Sequence, residues 1–109
     1  MENQHRKITG YKELDQQQID LMNKVKALGP QVESVLAEVA AYIDSQRDEA
    51  HGRVFDPEMG SKVAYGGGNE ELAARMENST PERFLALAKT ELQTGLMYAT
   101  RAVAQPEFF

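Results

Sequence analysis

The chain contains no cysteine and no tryptophan. Without thiols there is no disulfide framework and no thiolate metal site. No apolar run approaches the ~18 residues that a membrane-spanning helix needs. The N-terminus carries charges but no apolar core segment, so no secretory signal is expected. A soluble cytoplasmic protein is the natural expectation. Catalytic signatures are also missing: there is no HExxH, no GxSxG and no paired-carboxylate pattern. The two histidines, His5 and His51, have no acid–base partner at motif spacing and read as surface residues. An enzyme is therefore not expected, nor is a metal or a cofactor.

What is present suits one small folded domain of 109 residues. Hydrophobic residues make up 41% and charged residues 27%, a balance that argues against disorder. Acids outnumber bases 17 to 12, which disfavours DNA or RNA polymers as partners. The distribution is uneven: five bases face four acids through Lys26, whereas the remainder holds seven bases and thirteen acids. A compact anion fits near the N-terminus better than a polyanion does.

The spacing predicts two long helices. The first opens at Asp15, with Gln18 placed to complete a capping box and Leu14 and Ile19 at staple positions. Apolar residues then recur at Ile19, Met22, Val25, Leu28, Val32, Val35, Leu36, Val39 and Ile43, the three-four-seven pattern of an amphipathic helix. It is expected over about 16–48, with a kink or restart at Gly29-Pro30. The second is expected over about 81–104, with Thr80 as N-cap, Pro81 as first residue and Glu82 at the positive dipole end. Its stripe is Leu85, Ala88, Leu92, Leu96, Ala99 and Val103, and Pro106 ends it. Between them, about 49–79 forms an inserted loop. There Val54-Phe55 and Val63-Ala64-Tyr65 flank a turn and admit a small β-hairpin. Gly66-Gly67-Gly68 lacks phosphate-loop spacing and reads as a flexible joint, followed by a short helix capped by Asn69. Two helices enclose little core, so a third layer must come from other copies of the chain.

Several polar residues stand out. At roughly 100° per residue, Ile19, Met22 and Lys26 share one stripe, while Lys24 points about 140° away from Ile19. An ammonium on an apolar stripe must snorkel, pair with an acid or meet an anion at an interface. Tyr11, after Gly10, either packs over the helix start or offers a flat face to a base. On the second helix, Arg83, Leu87, Thr90, Thr94, Tyr98 and Arg101 form a mixed face. That face is either solvated or suited to a nucleotide or a second subunit, since arginine donates bidentately to phosphate.

Two stretches, NQHRKITGYKELDQQQIDLMNKVKALG at the front and RFLALAKTELQTGLMYATRAVAQPEFF at the back, resemble the phage anti-CBASS and anti-Thoeris hairpin-domain family. The anchors are residues 3–11, the IDLMN of 19–23 and the RAVAQP of 101–106, and the match covers both helices, about half the chain. The resemblance implies an all-α antiparallel hairpin assembled into dimers or hexamers. It implies a non-enzymatic sponge in the cytoplasm of an infected bacterial host, holding cyclic nucleotide immune signals intact. By the same resemblance, Tyr11 and Lys26 would bind cyclic dinucleotides, Lys12 and Arg83 cyclic trinucleotides, and Arg101 cyclic ADP-ribose isomers. The competing expectation from the residues is a purely structural hairpin module in which Tyr11 and Lys26 only pack subunits. A phosphodiesterase is a weaker third, since no metal-ligand cluster supports it.

Overall fold

In the computed structural model, residues 13–107 are described. The order is α1 (Gln16–His51), β1 (Arg53–Asp56), β2 (Ser61–Ala64), α2 (Glu70–Ser79) and α3 (Pro81–Ala104). This is the expected all-α hairpin with a small two-stranded insertion. The chain divides into two compact units, one built from residues up to Glu33 together with those from Thr90 onward, the other spanning Ser34–Lys89. No described helix is long and apolar enough to cross a membrane.

The start of α1 follows directly from its sequence. The Gln18 amide donates to Asp15 Oδ1 at 2.8 Å, and the Asp15 amide donates to Gln18 Oε1 at 3.0 Å. This reciprocal capping box satisfies two donors that the first turn would otherwise leave unpaired. Pro30 lies inside α1, and the helix passes it without the expected restart. Proline removes the backbone bond to Lys26, but the preceding residue is Gly29. With no Cβ there, part of the pre-proline clash that opposes helix is absent.

The apolar stripe of α1 is narrower than its sequence suggests. Apart from Gln46, Arg47 and Asp48, which are half-buried near its end, the half-buried or buried positions are Gln18, Met22, Val25, Gly29, Val32, Leu36, Ile43 and Ala50. They step by three, four or seven, the period of a single packing seam. Ile19, Leu28, Val35 and Val39, also assigned to the stripe, remain exposed. On α3 the expected stripe holds at Leu85, Ala88, Leu96, Ala99 and Val103, while Leu92 is exposed.

In the first unit, the Gln18 side-chain amide donates to the Val103 carbonyl at 2.9 Å and fixes the register of α1 against α3. The α3 helix ends with Gln105 in the left-handed region at φ 51. Its amide returns to the Arg101 carbonyl at 2.8 Å, closing the last turn before Pro106.

The second unit holds the core: Ile43, Ala50, Leu72 and Met76, with Ala73 and Leu85 packed against it. Asn69 caps α2 as expected, accepting from the Leu72 amide at 3.0 Å. Strands β1 and β2 pair antiparallel from Arg53↔Ala64 to Asp56↔Ser61. Asp56 organises their turn by accepting the Glu58 amide at 2.9 Å, while Tyr65 donates its hydroxyl to the other Asp56 oxygen at 2.9 Å. Lys62 ties the hairpin to α1 by donating to Asp48 at 2.6 Å and Asp44 at 3.0 Å.

One local expectation is corrected here and another is extended. The glycine run is a clasp rather than a flexible joint. The Tyr65 amide donates to the Gly52 carbonyl at 3.1 Å, and the Asn69 amide donates to the Ala50 carbonyl at 3.1 Å. A Cβ on Gly68 would collide with the Ala50 carbonyl oxygen, and one on Gly52 with the Gly66 carbonyl oxygen. Glycine permits backbone to meet backbone at both places. Thr80 precedes Pro81 at the start of α3 as expected, but it also ends α2, in the left-handed region at φ 45 and ψ 60. Its amide donates to the Met76 carbonyl at 2.9 Å, and its own carbonyl accepts from Arg83 at 3.2 Å. One strained residue therefore closes α2 and opens α3.

Candidate ligand-binding site

Of the residues singled out for ligand binding, Tyr11 and Lys12 lie outside the described residues. Lys26 and Arg101 belong to the first unit and Arg83 to the second. Lys26 is exposed and makes no hydrogen bond or ion pair with a described residue. Exposure does not separate it from Lys24, but the surroundings do. Side chains one turn away lie on the same helix face. For Lys26 those positions include Met22 and Gly29, both half-buried, whereas Lys24 has the exposed Asp20, Leu21, Ala27 and Leu28. Lys26 therefore borders the packing seam, and Lys24 does not.

Arg101 is exposed in the last turn of α3, where its charge suits the negative end of the helix dipole. Gln18 pairs with Val103, two residues beyond Arg101, while Lys26 lies roughly 12 Å further along α1.

Arg83 has the more defined setting. It lines a cleft of about 460 Å³ with Arg47 and His51 from α1, Met76 from α2, and Thr80 and Glu82 at the α2–α3 junction. Such a volume falls in the range of small-molecule sites. Across the cleft Arg47 grips Glu82 with both arms of its guanidinium. Nε donates to Oε2 at 2.7 Å and Nη2 to Oε1 at 2.6 Å. These bonds hold the Glu82 carboxyl down at about 2. Glu77 also lines the cleft, so an incoming anion meets one guanidinium already committed, at Arg47, an exposed one at Arg83 and a second carboxylate besides Glu82.

Sequence reasoning missed Arg47 and its pairing altogether. It took Glu82 as a dipole residue and His51 as a loop residue, though His51 is the last residue of α1. The i, i+4 spacing of Arg47 and His51 was the available signal. The pairing itself spans 35 positions, so no local pattern shows it. Among the described residues, no group of three or more histidines, cysteines or acids is placed to hold a metal ion.

The relationship to known proteins is broader than the anchors at the two ends. The sequence pattern of the Acb2/Tad1 hairpin domain matches residues 62–104, from β2 through α3. Anti-CBASS protein 2 of Pseudomonas phage JBD67 is 39% identical over 107 residues, covering 98% of this chain and 98% of that protein. With that coverage the central segment is shared with the relative and is not peculiar to this chain. The chain belongs to the Acb2/Tad1 hairpin-domain family.

Proposed function

We propose that this protein blocks CBASS-type defence in a phage-infected bacterium by sequestering cyclic nucleotide second messengers and returning them unchanged. The observation that carries this is the identity, along almost the whole chain, to a protein named for anti-CBASS action. The geometry adds a cation in a suitable place. Lys26 has no partner among the described residues and sits beside a seam whose neighbouring apolar residues are exposed. Covered by another copy, it becomes a charge at a partly dry interface, where a hydrogen bond to phosphate is strong.

In this proposal Tyr11 stacks on the bases of a cyclic dinucleotide and Lys26 meets its phosphate. Lys12 and Arg83 serve cyclic trinucleotides, and Arg101 serves cyclic ADP-ribose isomers, the ligands of Thoeris-type defence. The working form is a homo-oligomer, a dimer or hexamer, in the cytoplasm of the infected cell. The exposure of Ile19, Leu21, Leu28, Met97 and Tyr98 supports the oligomer, since both helices leave large apolar side chains available to an interaction face.

The test is a thermal-shift panel across the three ligand classes, followed by denaturation and chromatography of the bound nucleotide. A ligand at 100 times its dissociation constant stabilises by ~2.7 kcal/mol. Tyr11→Ala should lose stacking of ~1–3 kcal/mol, and Lys26→Ala should weaken dinucleotide binding while leaving the oligomer intact. Lys24→Ala is the control and should bind normally. Recovery of linear product would sink sequestration. Loss of the oligomer in Tyr11→Ala or Lys26→Ala, with no ligand shift anywhere in the panel, would leave a structural hairpin module instead.

A further inference from the structure

The cleft beside Arg83 is lined by two guanidinium groups, Arg47 and Arg83, and by two carboxylates, Glu77 and Glu82. With charges of both signs in equal number, it offers an anion little net attraction. The two arginines are not equivalent. Arg83 is exposed, and its side chain pairs with no other described residue. Arg47 is half-buried and gives two donors to Glu82, Nε to Oε2 at 2.7 Å and Nη2 to Oε1 at 2.6 Å.

This two-donor fork is also how arginine holds two oxygens of a phosphate. The Glu82 carboxylate therefore occupies the place on Arg47 that a pair of phosphate oxygens would take. Two features make it replaceable. The Glu82 side chain is 53% exposed and that of Arg47 only 25%, so Glu82 can turn into water while the guanidinium stays in the cleft. An ion pair with water on one side contributes little net stability, so parting it costs little. Once Glu82 has turned away, two guanidinium groups stand against the single carboxylate of Glu77. The balance of charge then favours an anion.

We propose that Glu82 is a displaceable internal competitor for phosphate: a phosphodiester anion entering the cleft takes its place on Arg47, which clamps the anion together with Arg83. The proposal rests on the reading of Arg83 as a phosphate contact and adds Arg47 as the second one. Affinity at this cleft is then governed by how readily Glu82 leaves, and not by Arg83 alone.

Calorimetric titration of the full chain tests this, with a cyclic trinucleotide of adenosine and, separately, with inorganic pyrophosphate. Glu82→Gln keeps the shape but removes the competing charge, and it should tighten binding up to about fivefold. Arg47→Gln should weaken binding about tenfold, the loss of a charge-assisted contact. The opposite signs are diagnostic. Both variants break the same ion pair, so a merely structural pair would shift both affinities in the same direction. Glu70→Gln removes a negative charge that does not line the cleft and should leave binding unchanged. Shifts of the same sign, no shift, or an equal gain in Glu70→Gln would each overturn the proposal, even with trinucleotide binding intact. If the trinucleotide binds neither the unaltered chain nor any variant, the reading of Arg83 as a trinucleotide contact falls. Pyrophosphate then decides the exchange alone: opposite signs uphold it, and their absence, or no binding, overturns it.

The carboxyl carbon signal of Glu82 gives a second measurement on the unaltered chain. Held by the two bonds from Arg47, the carboxyl sits at about 2. Its signal should stay nearly flat from about pH 6 to about pH 3.5. With pyrophosphate bound, it should titrate near its ordinary value of 4.5. A signal that stays flat in saturating pyrophosphate would overturn the proposal without relying on any variant.

Discussion

The two units are cut from the same pair of long helices, yet they solve the burial problem differently. All four residues classed as buried, Ile43, Ala50, Leu72 and Met76, lie in the Ser34–Lys89 unit. Among the described residues of the other unit none is buried. The difference is a third element. In the second unit α2 lays Leu72 and Met76 into the core, and the glycine clasp holds its entry against the end of α1. Among the described residues of the first unit, α1 and α3 have only each other. Two helices side by side half-cover one seam each and leave their outer apolar residues in water. A hairpin of this kind closes itself where a third element arrives, and elsewhere its outer apolar residues stay exposed.

The sharpest way to break this comparison is to remove the same kind of side chain from both units. Met76 is 2% exposed, so Met76→Ala should cost ~2–5 kcal/mol, as truncations in a packed core do. Leu28 is 45% exposed, and in an isolated chain Leu28→Ala should cost well under that. In an oligomer that covers Leu28 the cost should rise with protein concentration, because assembly and folding are then linked. Urea denaturation at two concentrations reads both. A Leu28→Ala cost that is small and independent of concentration would show that the first unit stands open on its own.

The clasp gives the next largest effect. Gly68→Ala forces a methyl against the Ala50 carbonyl, an overpacking that should cost ~1–3 kcal/mol. Gly67→Ala is the comparison, with open space around it but φ at +66. It should cost ~1 kcal/mol from backbone strain alone. If the two cost the same, the close approach of Gly68 to α1 contributes nothing.

These cases also show which parts of the fold the sequence expresses. Local chemistry was legible: the Asp15–Gln18 box, the Asn69 cap, the β-hairpin around residues 57–60, and α3 bounded by Pro81 and Pro106. Each depends on side chains within a few positions of the backbone groups they satisfy. The width of the α1 stripe was not legible, because periodicity says that Ile19, Leu28 and Val35 are apolar but not whether anything covers them. The clasp was hidden for a related reason. A triple glycine is the same signal whether the backbone is free or pressed against another backbone. At the candidate site, helical spacing singled out Lys26, Arg83 and Arg101, and the ligand roles given to them and to Tyr11 and Lys12 came from resemblance. The Arg47–Glu82 pair beside Arg83 joins residues that only tertiary structure brings together.

Thr80 tests the α2–α3 junction more gently. A β-branched residue at φ 45 is strained, and the left-handed region costs a non-glycine residue roughly 1–2 kcal/mol. Thr80→Gly relieves this but frees the unfolded chain, which returns ~0.5–1 kcal/mol. The net expectation is a gain of several tenths to about 1 kcal/mol, read as a rise in melting temperature of a few degrees. A loss would mean that the threonine side chain holds the junction together.

The smallest effect belongs to the ion pair that links α1 to the start of α3 in the closed unit. Arg47 and Glu82 are 25% and 53% exposed on their side chains, so water screens much of their attraction. The pH dependence nevertheless has a definite sign. The two bonds from Arg47 lower the Glu82 carboxyl from its ordinary value of 4.5 to about 2. Its contribution to stability is therefore fully present above about pH 4.5 and is lost as pH falls toward 2. Glu82→Gln removes the ionising group, so wild type should exceed it most above pH 4.5, and the two should converge between pH 4.5 and 2. High salt should narrow the gap at neutral pH. Acid should also lower the hydrogen-exchange protection of the Arg83 and Phe84 amides, relative to intrinsic rates at the same pH, before it lowers that at the far end of α3. A gap that stays constant from pH 7 to 2 would mean the pair contributes nothing, leaving the packing of Met76 and the glycine clasp to close that unit.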